Sequence, residues 1–166
     1  LDIRLSGTEL NQAGETVRKL ARGNAKVIAL FTHATDTKKH SAAFWERIYR
    51  RIQTEFPEHA VIEALPVENL SQLGFKAPCY YTAQVRELAS VIANCHLFIG
   101  ADSGIMHLAS ASGIAVIGLF NVTNPKKYAP YGNGSLAFDT NKSDEGALFL
   151  AISNLLTKDV QDHHHK

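Results

Sequence analysis

Asp102, Ser103 and Gly104 follow directly on the apolar run HLFIGA, and His107 comes three residues after them. A Ser-Gly pair at the exit of a buried strand can open a helix. The first backbone N–H groups of that helix lack partners and carry the positive end of its dipole. Such an end binds a phosphate or a similar anion. Gly104 lets a ligand approach the backbone where a side chain would obstruct it. These residues also have a plainer use: Asp102 and Ser103 are good helix caps, and His107 can face a crevice or pack as a core histidine. A second cluster supplies complementary chemistry. In THATDTKKH, Thr32, Thr35 and Thr37 bring hydroxyls, and Lys38 and Lys39 bring positive charge ahead of a helix. Lysine beside helix amides is a phosphate cradle in kind, although a solvated lysine pair is common on any surface. A diphosphate between the two clusters is the most economical reading.

The pattern of elements must bring those clusters together. A helix is expected from about Thr8 to Arg22, with Val17, Leu20 and Ala21 as a weak apolar stripe. AKVIALFTH is then a buried strand. AAFWERIYRRIQTEF is amphipathic, with Phe44, Ile48 and Ile52 on one face and Trp45 and Tyr49 beside it. HAVIEALP reads as the second strand, VENLSQLGFKAP as a loop and CYYT as a short third strand. AQVRELASVIANC is the next helix, with HLFIGA as strand four. SGIMHLASASG is a short helix closed by Gly113, IAVIGLF is strand five, NVTNPKKYAPYGNG is a loop and SLAFDT is strand six. The last helix is SDEGALFLAISNLL, with Ser143 as its cap and Leu148, Ile152 and Leu155 inward.

This alternation predicts an α/β fold, a Rossmann-like doubly wound parallel sheet of order 3-2-1-4-5-6. Ligands in such sheets sit beyond the carboxyl ends of the strands, at the switch between strands one and four. Those are the two strands that lead into the clusters above. No GxGxxG follows a strand, which argues against a nicotinamide enzyme. Three segments are expected: 1–24 as linker and connecting helix, 25–158 as a Rossmann-like ligand-binding domain, for which the resemblance given below implies a nucleotide sugar, and 159–166 as a tail that reads as a tag remnant.

Composition limits the choice of partner. Lys+Arg of 17 against Asp+Glu of 16 gives a net charge of +1, so there is no bulk electrostatic case for nucleic acid or a membrane surface. Cys79 and Cys95 lack metal-site spacing and read as buried thiols of a reducing compartment. No metal or cofactor is expected, and no apolar run has the length of a membrane span. The chain starts at Leu1 rather than Met, which suggests a piece of a longer protein. His163–His165 read as an affinity-tag remnant and are left out of any metal argument.

ADSGIMHLASASGIAVIGLF, with NPKKYAPYG after it, resembles the glycosyltransferase family 9 heptosyltransferases. The positions that carry the resemblance are Asp102-Ser103-Gly104, His107 to Ala111, Gly113, Thr123-Asn124-Pro125 and Tyr131-Gly132. RELASVIANCHLFIG resembles what precedes that motif in the family, and THATDTKKH its strand-one loop. The likeness runs from Lys26 to about Leu156. It implies the carboxyl-terminal, donor-binding half of a GT-B glycosyltransferase that uses ADP-heptose in lipopolysaccharide core synthesis.

By that resemblance Thr35, Lys39, Asp102, Ser103, Gly104 and His107 are donor-binding residues. A carboxylate near the end of strand two would hold the donor ribose, with Glu68 the candidate and Glu63 the alternative. The general base would belong to an amino-terminal domain, so this chain contributes no catalytic residue and is expected to be inactive alone. The acceptor would be lipopolysaccharide core or a lipid-linked sugar. The location implied is cytoplasmic, with a peripheral contact to the inner leaflet as an option for the basic edge Arg47, Arg50 and Arg51. The sequence departs from the family pattern at Asn121-Val122, where Gly-Pro is usual, and at Ser41-Ala42, where Trp-Pro is common. Two alternatives stay open: a stand-alone module that binds a nucleotide or phosphosugar, and a divergent glycosyltransferase using another sugar nucleotide.

Overall fold

Apolar runs with both faces buried should form inner strands of a parallel sheet, and they do. A computed structural model describes residues 2–163. Its six strands are β1 (Val27–Phe31), β2 (Ala60–Ala64), β3 (Cys79–Tyr80), β4 (Leu97–Ala101), β5 (Ala115–Phe120) and β6 (Leu136–Asp139). They lie in the order β3-β2-β1-β4-β5-β6, every neighbouring pair parallel. This is the expected order. Ala29 of β1 sits between Ile62 of β2 and Phe98 of β4, which fixes the register at the centre of the sheet.

Six helices cover the two faces: α1 (Gly7–Leu20), α2 (Ala42–Glu55), α3 (Val85–Ala93), α4 (Gly104–Ala111), α5 (Pro125–Tyr128) and α6 (Glu145–His163). Alternate residues of each strand point to opposite faces, so two cores form. Ile28 and Leu30 pack with Trp45, Ile48 and Ile52 of α2 and with Leu148, Phe149 and Ile152 of α6. Val27, Ala29 and Phe31 pack with Val17 of α1, Leu88 and Ile92 of α3, and Met106 and Ala109 of α4. Close approach of α4 to β5 depends on Gly118, where a Cβ would run into the Met106 sulfur and the Phe120 ring.

Several local expectations shift for physical reasons. α1 begins at Gly7 because Ser6 and Glu9 form a reciprocal capping box. The segment read as linker and connecting helix packs on α3, where Arg86 grips Glu9 at 2.7 Å and Asn94 donates to the Leu10 carbonyl. Asp144, not Ser143, caps α6: its Oδ1 accepts from the Ala147 amide at 2.9 Å. The loop after β5 contains a one-turn helix, α5, with Asn124 as cap and Pro125 at its first position. α6 runs to His163, into the stretch read as a tail; residues 164–166 of that reading lie outside the described residues. No helix among the described residues is long and apolar enough to cross a membrane.

Candidate functional site

β1 and β4 are neighbours whose connections leave toward opposite sides, so a crevice opens beyond their carboxyl ends. A cavity of about 330 Å³ occupies this place. One wall is polar and comes from the β1 and β4 exits: Thr35, Lys38, Asp102, Ser103 and Gly104. The facing wall is largely apolar and comes from the β2 exit and the start of α3: Leu65, Pro66, Val67, Val85 and Leu88, with Glu68 at the edge. Val67 and Val85 are both more than half exposed, apolar surface of the kind a planar ring covers.

The helix α4 starts as its sequence suggests. Ser103 is the cap, its hydroxyl accepting from the Met106 amide at 3.3 Å. The amides of Gly104 and Ile105 precede the first intrahelical bond and face the cavity end of the helix. A Cβ added at Gly104 would meet nothing within 4 Å, so the fold itself leaves this position open.

Asp102 has a different role from capping. It is 6% exposed, and its Oδ2 accepts from the Thr123 hydroxyl and lies 3.3 Å from Lys38 Nζ. A buried carboxylate needs such partners, and here they come from the exits of β1 and β5. Three strand ends are thereby joined at one oxygen.

The structure brings Thr35, Glu68, Asp102, Ser103 and Gly104 to one cavity, together with Lys38. Lys39 is one residue beyond, as the cap of the 3-10 turn Asp36–Lys38, and its chain lines a neighbouring hollow with His40 and Asn121. His107 is half-buried one turn into α4, away from the walls of the crevice. Of the two carboxylates at the β2 exit, Glu68 is exposed beside His33 at 3.9 Å. Glu63 is fully buried and accepts from Thr32 at 2.7 Å and Ser71 at 2.6 Å. Burial pushes its carboxyl above the ordinary range. It therefore serves as an internal tie and is closed to ligand.

Sequence reasoning left Thr123 out of the site. Its signal was the position of Thr-Asn-Pro just past the strand adjacent to β4, within reach of Asp102. Of the thiols, Cys95 is buried and pushed up to about 12, and the half-buried Cys79 to about 11. Among the described residues no group of three or more His, Cys, Asp or Glu side chains could hold a metal ion.

His40 fastens the β1 loop to the far side of the sheet. Thr140 Oγ1 donates to the Phe120 carbonyl, so it must accept from His40 Nε2–H at 3.0 Å. Nδ1 of this buried ring has no partner in the structure, and burial lowers the imidazole pKa below 6.5. The unfolded chain thus binds this proton more readily. Folding stability is fully present above the unfolded value and falls as the pH drops through and below about 6.5. Denaturant titrations from pH 8 to 5 should show that fall, and a His40→Gln variant should flatten it.

A six-stranded parallel sheet with helices on both faces and a crevice at its switch point defines a Rossmann-like α/β domain. Residues 82–146 match the family model described as glycosyltransferase family 9 (heptosyltransferase). Over that stretch, which includes the DSG-to-HL segment, the chain is similar to glycosyltransferase family 9. A 64-residue stretch is 34% identical to the lipopolysaccharide core heptosyltransferase OpsX of Haemophilus influenzae, covering 34% of this chain and 18% of that protein. The fold agrees with a family 9 glycosyl transferase from Veillonella parvula at TM-score 0.77 and 19% identity, covering 95% of this chain and 54% of that one. It also agrees with the E. coli ADP-heptose lps heptosyltransferase II at TM-score 0.75 and 14% identity, over 95% and 54% of the two chains. The E. coli heptosyltransferase WaaC, solved with ADP, follows at TM-score 0.63 and 16% identity, over 86% and 48%. This chain spans about half the length of those solved structures.

Proposed function

We propose that this domain binds the nucleotide-sugar donor of an inverting glycosyltransferase, of the ADP-heptose class used in lipopolysaccharide core assembly. One observation supports this above the rest: a single crevice pairs an apolar wall with open α4 amides and a lysine, Lys38, held beside them. The apolar wall suits an adenine ring, and the amides and lysine suit a diphosphate. Glu68, at the edge between the walls, is placed for the ribose hydroxyls. In transfer, an acceptor hydroxyl oxygen bonds to the anomeric carbon while the bond from that carbon to the diphosphate oxygen breaks. Its electron pair leaves with the diphosphate, and the hydroxyl proton passes to a base. Fixed amides and Lys38 would stabilise the charge that grows on the leaving group without reorganising. Of the carboxylates on this crevice, Asp102 is already engaged by Lys38 and Thr123.

The reading therefore takes the base, and the acceptor surface, from another domain. It holds this chain inactive by itself and independent of metal, and places the parent protein in the cytoplasm beside the inner leaflet.

Calorimetric titration of ADP, with UDP and GDP as controls, tests this. ADP should bind saturably and more tightly than either control. Lys38→Ala should weaken it roughly tenfold or more, as loss of a charge-assisted contact does, and Lys39→Ala should weaken it less. Equal binding of all three nucleotides would favour a general nucleotide module. No binding by any would remove the donor-site reading.

A further inference from the structure

We propose that Asn121 is a positioning residue for Lys38, a role that rests on the donor-site reading above. Asn121 is the first residue beyond β5. Its side-chain nitrogen donates to the carbonyls of Thr37 and Lys39, each at 3.3 Å. These carbonyls belong to the residues on either side of Lys38. A primary amide has two hydrogens, enough to serve both carbonyls. The backbone carbonyl of Asn121 is held in turn by the side-chain amide of Asn141.

Besides the anchor at His40, the backbone from Thr35 to Lys39 is restrained by few bonds of its own. The 3-10 turn supplies only Lys38 N to Thr35 O and Lys39 N to Asp36 O, at 3.1 and 3.3 Å. Such bonds have poorer geometry than those of an α-helix and are weak restraints on their own. Two residues past Asn121, Thr123 donates to Asp102, the carboxylate that Lys38 faces at 3.3 Å. One short loop thus sets the lysine's backbone with one side chain and the lysine's counter-charge with another. Since the loop belongs to β5, the site is assembled across three strands rather than two. Asn121 does not line the crevice, and the bonds from its side chain go to the backbone on either side of Lys38, so we take its influence to pass through that lysine.

A double-mutant cycle with ADP separates this from a general structural role. The proteins are wild type, Asn121→Leu, Lys38→Ala and the double variant; leucine keeps the bulk of Asn121 and removes its donors. With Lys38 present, Asn121→Leu should raise the Kd for ADP roughly five- to tenfold; with Lys38 absent, the change should fall below about twofold. Its effect on the melting temperature should be the same in both backgrounds. Equal weakening in both backgrounds, or none in either, overturns the proposal.

A second readout needs no nucleotide. After reductive ¹³C-methylation, the Lys38 signal, assigned by its absence in Lys38→Ala, should lie apart from those of exposed lysines. In Asn121→Leu it should move to join them. An unchanged Lys38 signal overturns the positioning role, whereas failure of wild type to bind ADP overturns only the donor-site reading.

Discussion

A Gly104→Val variant will lose ADP binding by roughly a hundredfold while unfolding at the wild-type denaturant concentration. The two halves of that result have separate causes. Residue 104 is the first of α4, and a Cβ there meets no atom within 4 Å beyond its chain neighbours and the backbone of its own helix. A Cβ there meets no obstacle from the rest of the fold, and valine is a better helix former than glycine. The same Cβ and its methyls, however, would stand before the amides of residues 104 and 105, where the diphosphate is proposed to sit. Each charge-assisted hydrogen bond of that kind contributes about 1.5–3 kcal/mol, so losing one gives tenfold or more and losing both about a hundredfold or more. Calorimetry and equilibrium denaturation on one preparation read both halves. A variant that binds like wild type would show that the open space at Gly104 is not where ligand sits. A variant that loses stability and affinity together would show that the glycine is there for the fold.

The second large effect concerns Glu63. Its two oxygens accept from Thr32 and Ser71, and both hydroxyls are themselves acceptors for backbone amides: Gln72 to Thr32, and Leu73 and Phe75 to Ser71. The hydroxyl protons therefore have to go to Glu63. Glu63→Ala leaves them without acceptors in a fully buried place and opens a cavity, which should cost about 3 kcal/mol. Glu63→Gln should cost about 1 kcal/mol despite its equal size, because its NH2 group meets a hydroxyl that needs an acceptor.

The pH dependence has a definite sign. Burial raises the carboxyl of Glu63, so its contribution is fully present below the unfolded value of about 4.5 and is lost as the pH rises through the folded value. The gap between wild type and Glu63→Ala should thus be widest at acid pH, the opposite trend to that of His40. Since the same tie holds the 71–75 segment under the β2 exit, ADP affinity should fall in Glu63→Ala as well. Denaturation curves that superimpose on wild type at pH 4 would contradict the whole assignment of Glu63 as an internal tie.

How much of this was legible in the sequence differs between fold and site. Strand order followed from the alternation of buried runs with amphipathic helices, because a right-handed crossover leaves few other ways to arrange such units. The Ser103-Gly104 helix start was legible because a cap and an open first turn are local properties of the chain. Helix boundaries were less so. Ser6 with Glu9 and Asn124 with Pro125 both carried recognisable signals, while Ser143 and Asp144 are adjacent and equally good caps, and only the path of the chain selects between them. The lysines illustrate a different limit. Lys38 and Lys39 are neighbours of one type, and which of them enters the crevice depends on a 3-10 turn held by Asn121, 82 residues from Lys39. No local pattern contains that information. Glu63 and Glu68 were separated for the same reason, since burial of one and exposure of the other is decided by where Thr32 and Ser71 come to rest.

The proposal that the crevice between the β1 and β4 exits holds a nucleoside diphosphate is tested most directly by two-dimensional amide NMR during an ADP titration. The amides of Gly104 and Ile105 should shift most, downfield as expected for donors to an anion, together with the amides of the β1-exit loop around Lys38 and of Val67 and Val85. Shifts confined to the hollow around His40 and Asn141, or an unmoved Gly104 amide at saturating ADP, would contradict it.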